Sequence, residues 1–285
     1  LLLLMDNELD AFPECLSRMN WLVALDLSRN KLTSIPDSIG NLVSLTNLYL
    51  LDMELQSLPS SIGSLQSLLL LDFSGNRIRD LPESILSLTE LQSLNLARNG
   101  LEVIPEIVLK MSWLKTLDIS GNNIATLPDD IDSLETLGRL DMTSNNLQSL
   151  PAAIANMEYL TSLILGKNRI SKLPENIGDL DMLHELDISE NNLSSIPDSI
   201  GKLIRLQALL LQDNRLKSLP STITKLQRLL VLAISGNDLT TLPSTMTELL
   251  SLSTLAMKDN PFEPFPAEIE YWLKELEDVG CYLER

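Results

Sequence analysis

The chain's 285 residues carry 39 acidic and 21 basic side chains, a formal net charge of −18. That charge repels a phosphate backbone and an anionic membrane surface, and no basic stripe offsets it. No apolar run approaches the roughly 18 residues that a spanning helix needs, so nucleic acid and membrane insertion are both excluded as expectations.

In chain order, the first element is a partial repeat over residues 1–21, with Leu2, Leu4, Asn7, Leu9, Phe12, Pro13 and Leu16 in register with all that follows. Complete repeats start at Leu22 and recur every 23 residues as L-x-x-L-x-L-x-x-N-x-L-x-x-L-P-x-x-I-x-x-L-x-x, without insertion or deletion. A fixed period of about 20–50 residues marks a solenoid, in which each repeat packs only on its neighbours. The repeats run to residue 260 as one structural domain. Because the chain begins in mid-repeat, without a polar cap, it reads as a fragment of something longer.

Within each repeat, a stretch such as Leu25–Asp26–Leu27 alternates with period two and predicts a strand. Twelve of the 14 prolines share one column, among them Pro36, Pro59 and Pro82. Proline cannot donate to a sheet ladder, so this column belongs to the return path, where its fixed φ suits a turn or a short helical start. The asparagines at 7, 30, 76, 99, 122, 145, 168, 191, 214, 237 and 260 share another column, between leucines expected to be buried. There they must be hydrogen-bonded, and a ladder linking each coil to the next is predicted. Met53 interrupts it, predicting a local weak point up to about residue 58. Residues 261–285 predict a capping segment: Ile269, Trp272, Leu273 and Leu276 define one apolar helical stripe, and Phe262, Phe265, Tyr271, Trp272 and Tyr282 suggest a packed plug.

Candidates for chemistry are sparse. The single histidine, His184, precedes Glu185, Asp187 and Glu190; a metal ligand or an oriented base is conceivable, and a surface histidine on an acidic strand is preferred. Cys15 and Cys281 lie at opposite ends of a rod about 55 Å long, at roughly 4.8 Å per strand, and cannot bridge. Lack of a disulfide cap favours a reducing, cytoplasmic compartment. No cofactor and no catalytic activity are expected.

The phrase Ile35-Pro36-Asp37-Ser38-Ile39-Gly40-Asn41-Leu42 resembles the intracellular 23-residue leucine-rich repeats of Scribble and Erbin-type polarity scaffolds, Ras-pathway scaffolds, plant Ras-group-related proteins and Roco-type kinases. The resemblance implies an α/β leucine-rich repeat solenoid, a horseshoe with a parallel sheet on the concave face and short helical or 3-10 turns on the convex face. It also implies protein binding.

Because the internal consensus describes scaffold, positions that depart from it are the better binding candidates. In the strand-face columns, apolar departures are Tyr49, Leu51, Leu70, Ile164, Leu210 and Val231. Asp118 and Asp141, from the carboxylate column also holding Asp26, Asp72 and Asp187, suit a partner presenting a basic patch. Arg139, Lys167, His184 and Glu185 complete the candidate set. The leading expectation is an intracellular scaffold that binds a folded protein on its concave face. The alternative is a regulatory or substrate-docking domain of a larger enzyme such as a kinase, cyclase or phosphatase.

Overall fold

The computed structural model describes all 285 residues. They form two compact units, Leu1–Ile124 with Ser133–Asp141 and Ala125–Asp132 with Met142–Arg285. The period alone predicts one domain. In a solenoid each coil packs only on the coils beside it, so a long array has no common centre to hold it as one compact body.

In the first unit the strands are Leu2–Leu3 (β1), Ala24–Asp26 (β2), Asn47–Tyr49 (β3), Leu70–Asp72 (β4), Ser93–Asn95 (β5), Thr116–Asp118 (β6) and Arg139–Asp141 (β7). Each pairs in parallel with the next at an offset of one repeat, so that Leu25, Leu48 and Leu71 stand side by side. The middle residue of β2 to β7 points inward and is buried, and its two neighbours face out. The return path is made of 3-10 turns such as Asp37–Asn41 and Ser60–Ser64, each preceded by its proline, and of one short helix, Glu106–Leu109 (α1). The five residues between Pro36 and Leu42 leave room for one tight turn, whose first bond runs from the Ile39 N–H to the Pro36 carbonyl.

The second unit repeats this plan with Ser162–Ile164 (β8), Glu185–Asp187 (β9), Ala208–Leu210 (β10), Val231–Ala233 (β11), Thr254–Ala256 (β12) and Tyr282–Glu284 (β13), again parallel and in order. The terminal helix, Ala267–Asp278 (α2), buries Ile269, Trp272, Leu273 and Leu276, and the Trp272 indole donates to the Leu249 carbonyl at 3.3 Å. Gly280, at φ +91, then turns the chain back into β13, an element the repeat phrase does not signal. The aromatic plug is smaller than predicted. Trp272 alone is fully buried; Phe262 and Phe265 pack on each other with centroids 4.9 Å apart, while Tyr271 and Tyr282 are exposed.

The asparagine ladder is built as predicted. The Asn30 amide donates to the Leu27 carbonyl of its own coil and to the Leu4 carbonyl of the preceding one, both at 2.8 Å, while its oxygen accepts the Leu9 N–H. The residue before each asparagine adopts a left-handed backbone, as in Arg29 (φ 54), Gly75 (φ 68), Lys167 (φ 58) and Asp213 (φ 56). That conformation turns the chain sharply after the strand and aims the amide inward. The same geometry survives at Met53, since Asp52 has φ 48 and Met53 is buried.

Only part of the ladder fails there. The Leu27 and Leu50 carbonyls keep amide donors from Asn30 and Asn76, because each carbonyl in the column is reached from two coils. The Leu32 N–H, which position 53 should serve, has no acceptor in the chain, and the Glu54 N–H makes no bond to match Lys31 with Leu9 or Arg77 with Leu55. We therefore predict that Met53→Asn raises stability by about 1 kcal/mol, the lower range for a buried hydrogen bond, in chemical denaturation. A loss of stability would mean that the thioether packs better than the amide bonds.

Candidate functional site

The outward columns of the sheet carry the candidate residues, and the chain itself uses most of the charged ones. Asp26, Asp72, Asp118 and Asp187 each accept, through Oδ1, the backbone N–H of the serine two residues on, at 2.8–2.9 Å. Asn95 does the same for the Ala97 N–H. This Asx-type contact satisfies a donor at the strand's end, so the carboxylate column serves the turn that follows. Arg139 pairs with Asp141 at 3.1 Å, Lys167 with Glu190 at 3.5 Å, and Glu185 accepts from the Ser162 hydroxyl at 2.7 Å. His184, half-buried ahead of β9, takes part through its carbonyl, which accepts the Gln207 and Ala208 N–H groups.

Within this column the surroundings of Asp72 shift its titration. Burial holds its carboxyl above the ordinary 3.8, with the Asp118 charge adding to the rise, while bonds from Ser74 and Asn95 pull the other way. A carboxyl raised in the folded state opposes folding above that raised value, and the opposition fades as pH falls through it. A carboxyl ¹³C titration should accordingly show Asp72 protonating above 3.8; a midpoint at or below that value would remove burial as the dominant influence.

The apolar candidates fall into separate groups. In the first unit Tyr49, Leu51 and Leu70 are half-buried on the face of β3 and β4, beside Leu69 at 37% exposure. The Leu51 N–H, lacking an aspartate at position 49, is taken by the Ser28 hydroxyl at 3.1 Å. In the second unit Leu210 and Val231 are half-buried next to Ala208, Ala233 and Ala256, with Leu230 at their margin. Ile164 differs from the expectation. It is 7% exposed in a strand that is buried throughout, so little of it is available for contact.

One feature of β10 to β12 escapes the pattern of side-chain types. With Leu210, Ala233 and Ala256 in the carboxylate column, the N–H groups of Gln212, Ser235 and Lys258 have no acceptor in the chain. Gln212 Oε1 and Ser235 Oγ, in the same column, are also buried without a partner. The signal was present in the sequence as the missing aspartates, but their loss registers there only as gained hydrophobicity.

Comparison with known proteins agrees with this architecture. Leucine-rich repeat models match residues 2–119, 113–134 and 158–216. No curated protein sequence matches the chain. Among solved structures, a leucine-rich repeat protein of Leptospira interrogans is 28% identical with a TM-score of 0.71, over 98% of this chain and 82% of that one. The plant peptide hormone receptor RGFR1 in complex with RGF2 is 33% identical with a TM-score of 0.72, over 87% of this chain and 42% of that one. An internalin from Listeria monocytogenes, at 20% identity and a TM-score of 0.77 over 99% of this chain and 85% of its own, shares the fold. No helix of the protein is long and apolar enough to cross a membrane. The chain thus has the leucine-rich repeat fold, the architecture of a protein–protein interaction module.

Proposed function

We propose that this chain is a signalling scaffold module that binds a folded protein partner across its sheet face, in a cytoplasmic setting. The observation that carries the reading is the distribution of departures from the repeat. Tyr49, Leu51 and Leu70 in one unit, and Leu210 and Val231 in the other, stand where the internal consensus places polar groups, and apolar side chains on an open sheet face call for cover. The 23-residue phrase supports the intracellular class of repeats, and the free thiols Cys15 and Cys281 suit a reducing compartment. The charged candidates contribute less to affinity, because Asp118, Arg139, Asp141, Lys167 and Glu185 already have partners within the chain.

Photo-crosslinking tests the surface. A benzophenone side chain would replace Leu70 or Leu210 on the sheet face, and Val103 or Ile204, which are 63% and 61% exposed elsewhere. Discrete protein adducts from the first pair alone support the proposal. Equal adducts from both pairs, or adducts from the second pair only, contradict it.

A further inference from the structure

The unpaired groups on β10 to β12 define what that part of the face can hold. In six other coils a carboxylate, an asparagine or the Ser28 hydroxyl caps the N–H at the strand's end, at Ser28, Leu51, Ser74, Ala97, Ser120 and Ser189, whereas after Ile164 the Gly166 N–H is uncapped, as a single isolated case. At Gln212, Ser235 and Lys258 three successive N–H donors stay open, one per coil, and small or apolar side chains take the place of the caps. The same column holds an unpaired acceptor, Gln212 Oε1, and an unpaired hydroxyl, Ser235 Oγ, both buried. A bare carboxylate would satisfy the donors but meet the Gln212 oxygen unfavourably. A main-chain amide, with one acceptor and one donor, satisfies both kinds of group.

We propose that this patch binds an extended peptide segment of the partner, laid across β10, β11 and β12 with its main-chain carbonyls on the open N–H groups. The inference rests on the sheet-face reading given above. Three strands spaced by roughly 4.8 Å put about 10 Å between β10 and β12, the reach of about three extended residues. Apolar side chains of the segment would sit on Ala208, Leu210, Val231, Ala233 and Ala256, which are half-buried and leave a shallow surface. Asp187 and Glu284 flank the patch in the register of the sheet, and Asp213, Lys258 and Asp259 follow its strands, leaving an acidic excess. That rim selects a segment carrying lysine or arginine and disfavours an acidic one.

The test restores the missing caps. A random dodecapeptide display library is selected on the chain, and the binders are measured against L210D/A233D, in which each new carboxylate can accept the N–H two residues on, as Asp187 does for Ser189. A233V serves as a control that adds bulk and leaves the donors open. Retained circular dichroism shows that each variant folds. Support would be enrichment of apolar segments with a basic residue, at least tenfold weaker binding to L210D/A233D, at most threefold weaker binding to A233V, and slower exchange of the Gln212, Ser235 and Lys258 amides in the complex. Unchanged binding to folded L210D/A233D, or enrichment of acidic peptides, overturns the assignment. If that happens while photo-crosslinks from Leu210 persist, only this inference fails; loss of the crosslinks as well removes the sheet-face reading.

Discussion

Asn122→Ala is expected to destabilise the chain by about 3 kcal/mol, since two buried donors are left bare at about 1–3 kcal/mol each. Asn122 Oδ1 accepts the Asn99 N–H at 2.9 Å and the Leu101 N–H at 3.0 Å, and its amide donates to the Leu96 and Ile119 carbonyls. The Leu96 carbonyl retains a second donor in Asn99, so the loss falls mainly on the two N–H groups. Met53 shows how a coil survives with a smaller deficit: there the carbonyls keep a partner and Leu32 is the donor in the asparagine column left bare. Urea denaturation would check the figure. A cost below about 1 kcal/mol, the least that one bare buried donor should exact, would mean that the ladder is not what ties the coils together.

The second large effect lies on the return path. Gly178 has its place because a Cβ there would run into the Ser199 backbone oxygen of the next coil, and Gly63 and Gly201 meet Ser84 and Thr222 oxygens in the same way. A backbone oxygen within the Asp198–Lys202 turn cannot swing aside as a flexible side chain would. Gly178→Ala should therefore cost about 2–3 kcal/mol, the upper part of the range for overpacking, read as a shift in denaturation midpoint. The equivalent column holds Leu86, Leu109 and Ala155 in other coils, so the local spacing of turns, and not a requirement of the repeat, sets the effect. A neutral Gly178→Ala would show that the turns can spread at no cost.

Much of this architecture was legible because one phrase recurs. Each column has one physical job, so the prolines, asparagines and paired leucines specify the turn, the ladder and the strand. Tyr271 and Tyr282 show where that reasoning stops, since beyond Asn260 there is no repeat to compare and aromatic content alone does not specify burial. The return of the chain into β13 depends on Gly280 and on a register that only the folded coil defines. The candidate site was legible as departures from consensus at Leu210 and Val231. Ile164 is buried where its column suggests exposure, because a column assigns a direction, not the degree to which neighbouring side chains close over it. The open N–H groups leave only an indirect signal, the missing aspartates, because a residue type says nothing of whether the amide two positions on has found an acceptor.

The most direct test of the account is amide hydrogen exchange in the free chain, residue by residue. Each strand-end amide is compared with the amide next to it in the same coil, which cancels differences in local stability. Ser189, capped by Asp187, should exchange about as slowly as Glu190, which bonds to the Gln212 carbonyl. Gln212 and Ser235 should exchange at least tenfold faster than their neighbours Asp213 and Gly236, which bond to the carbonyls of Ser235 and Lys258. Equal protection of Gln212 and Asp213, and of Ser235 and Gly236, would contradict the claim that replacing the caps leaves a row of donors open for a partner.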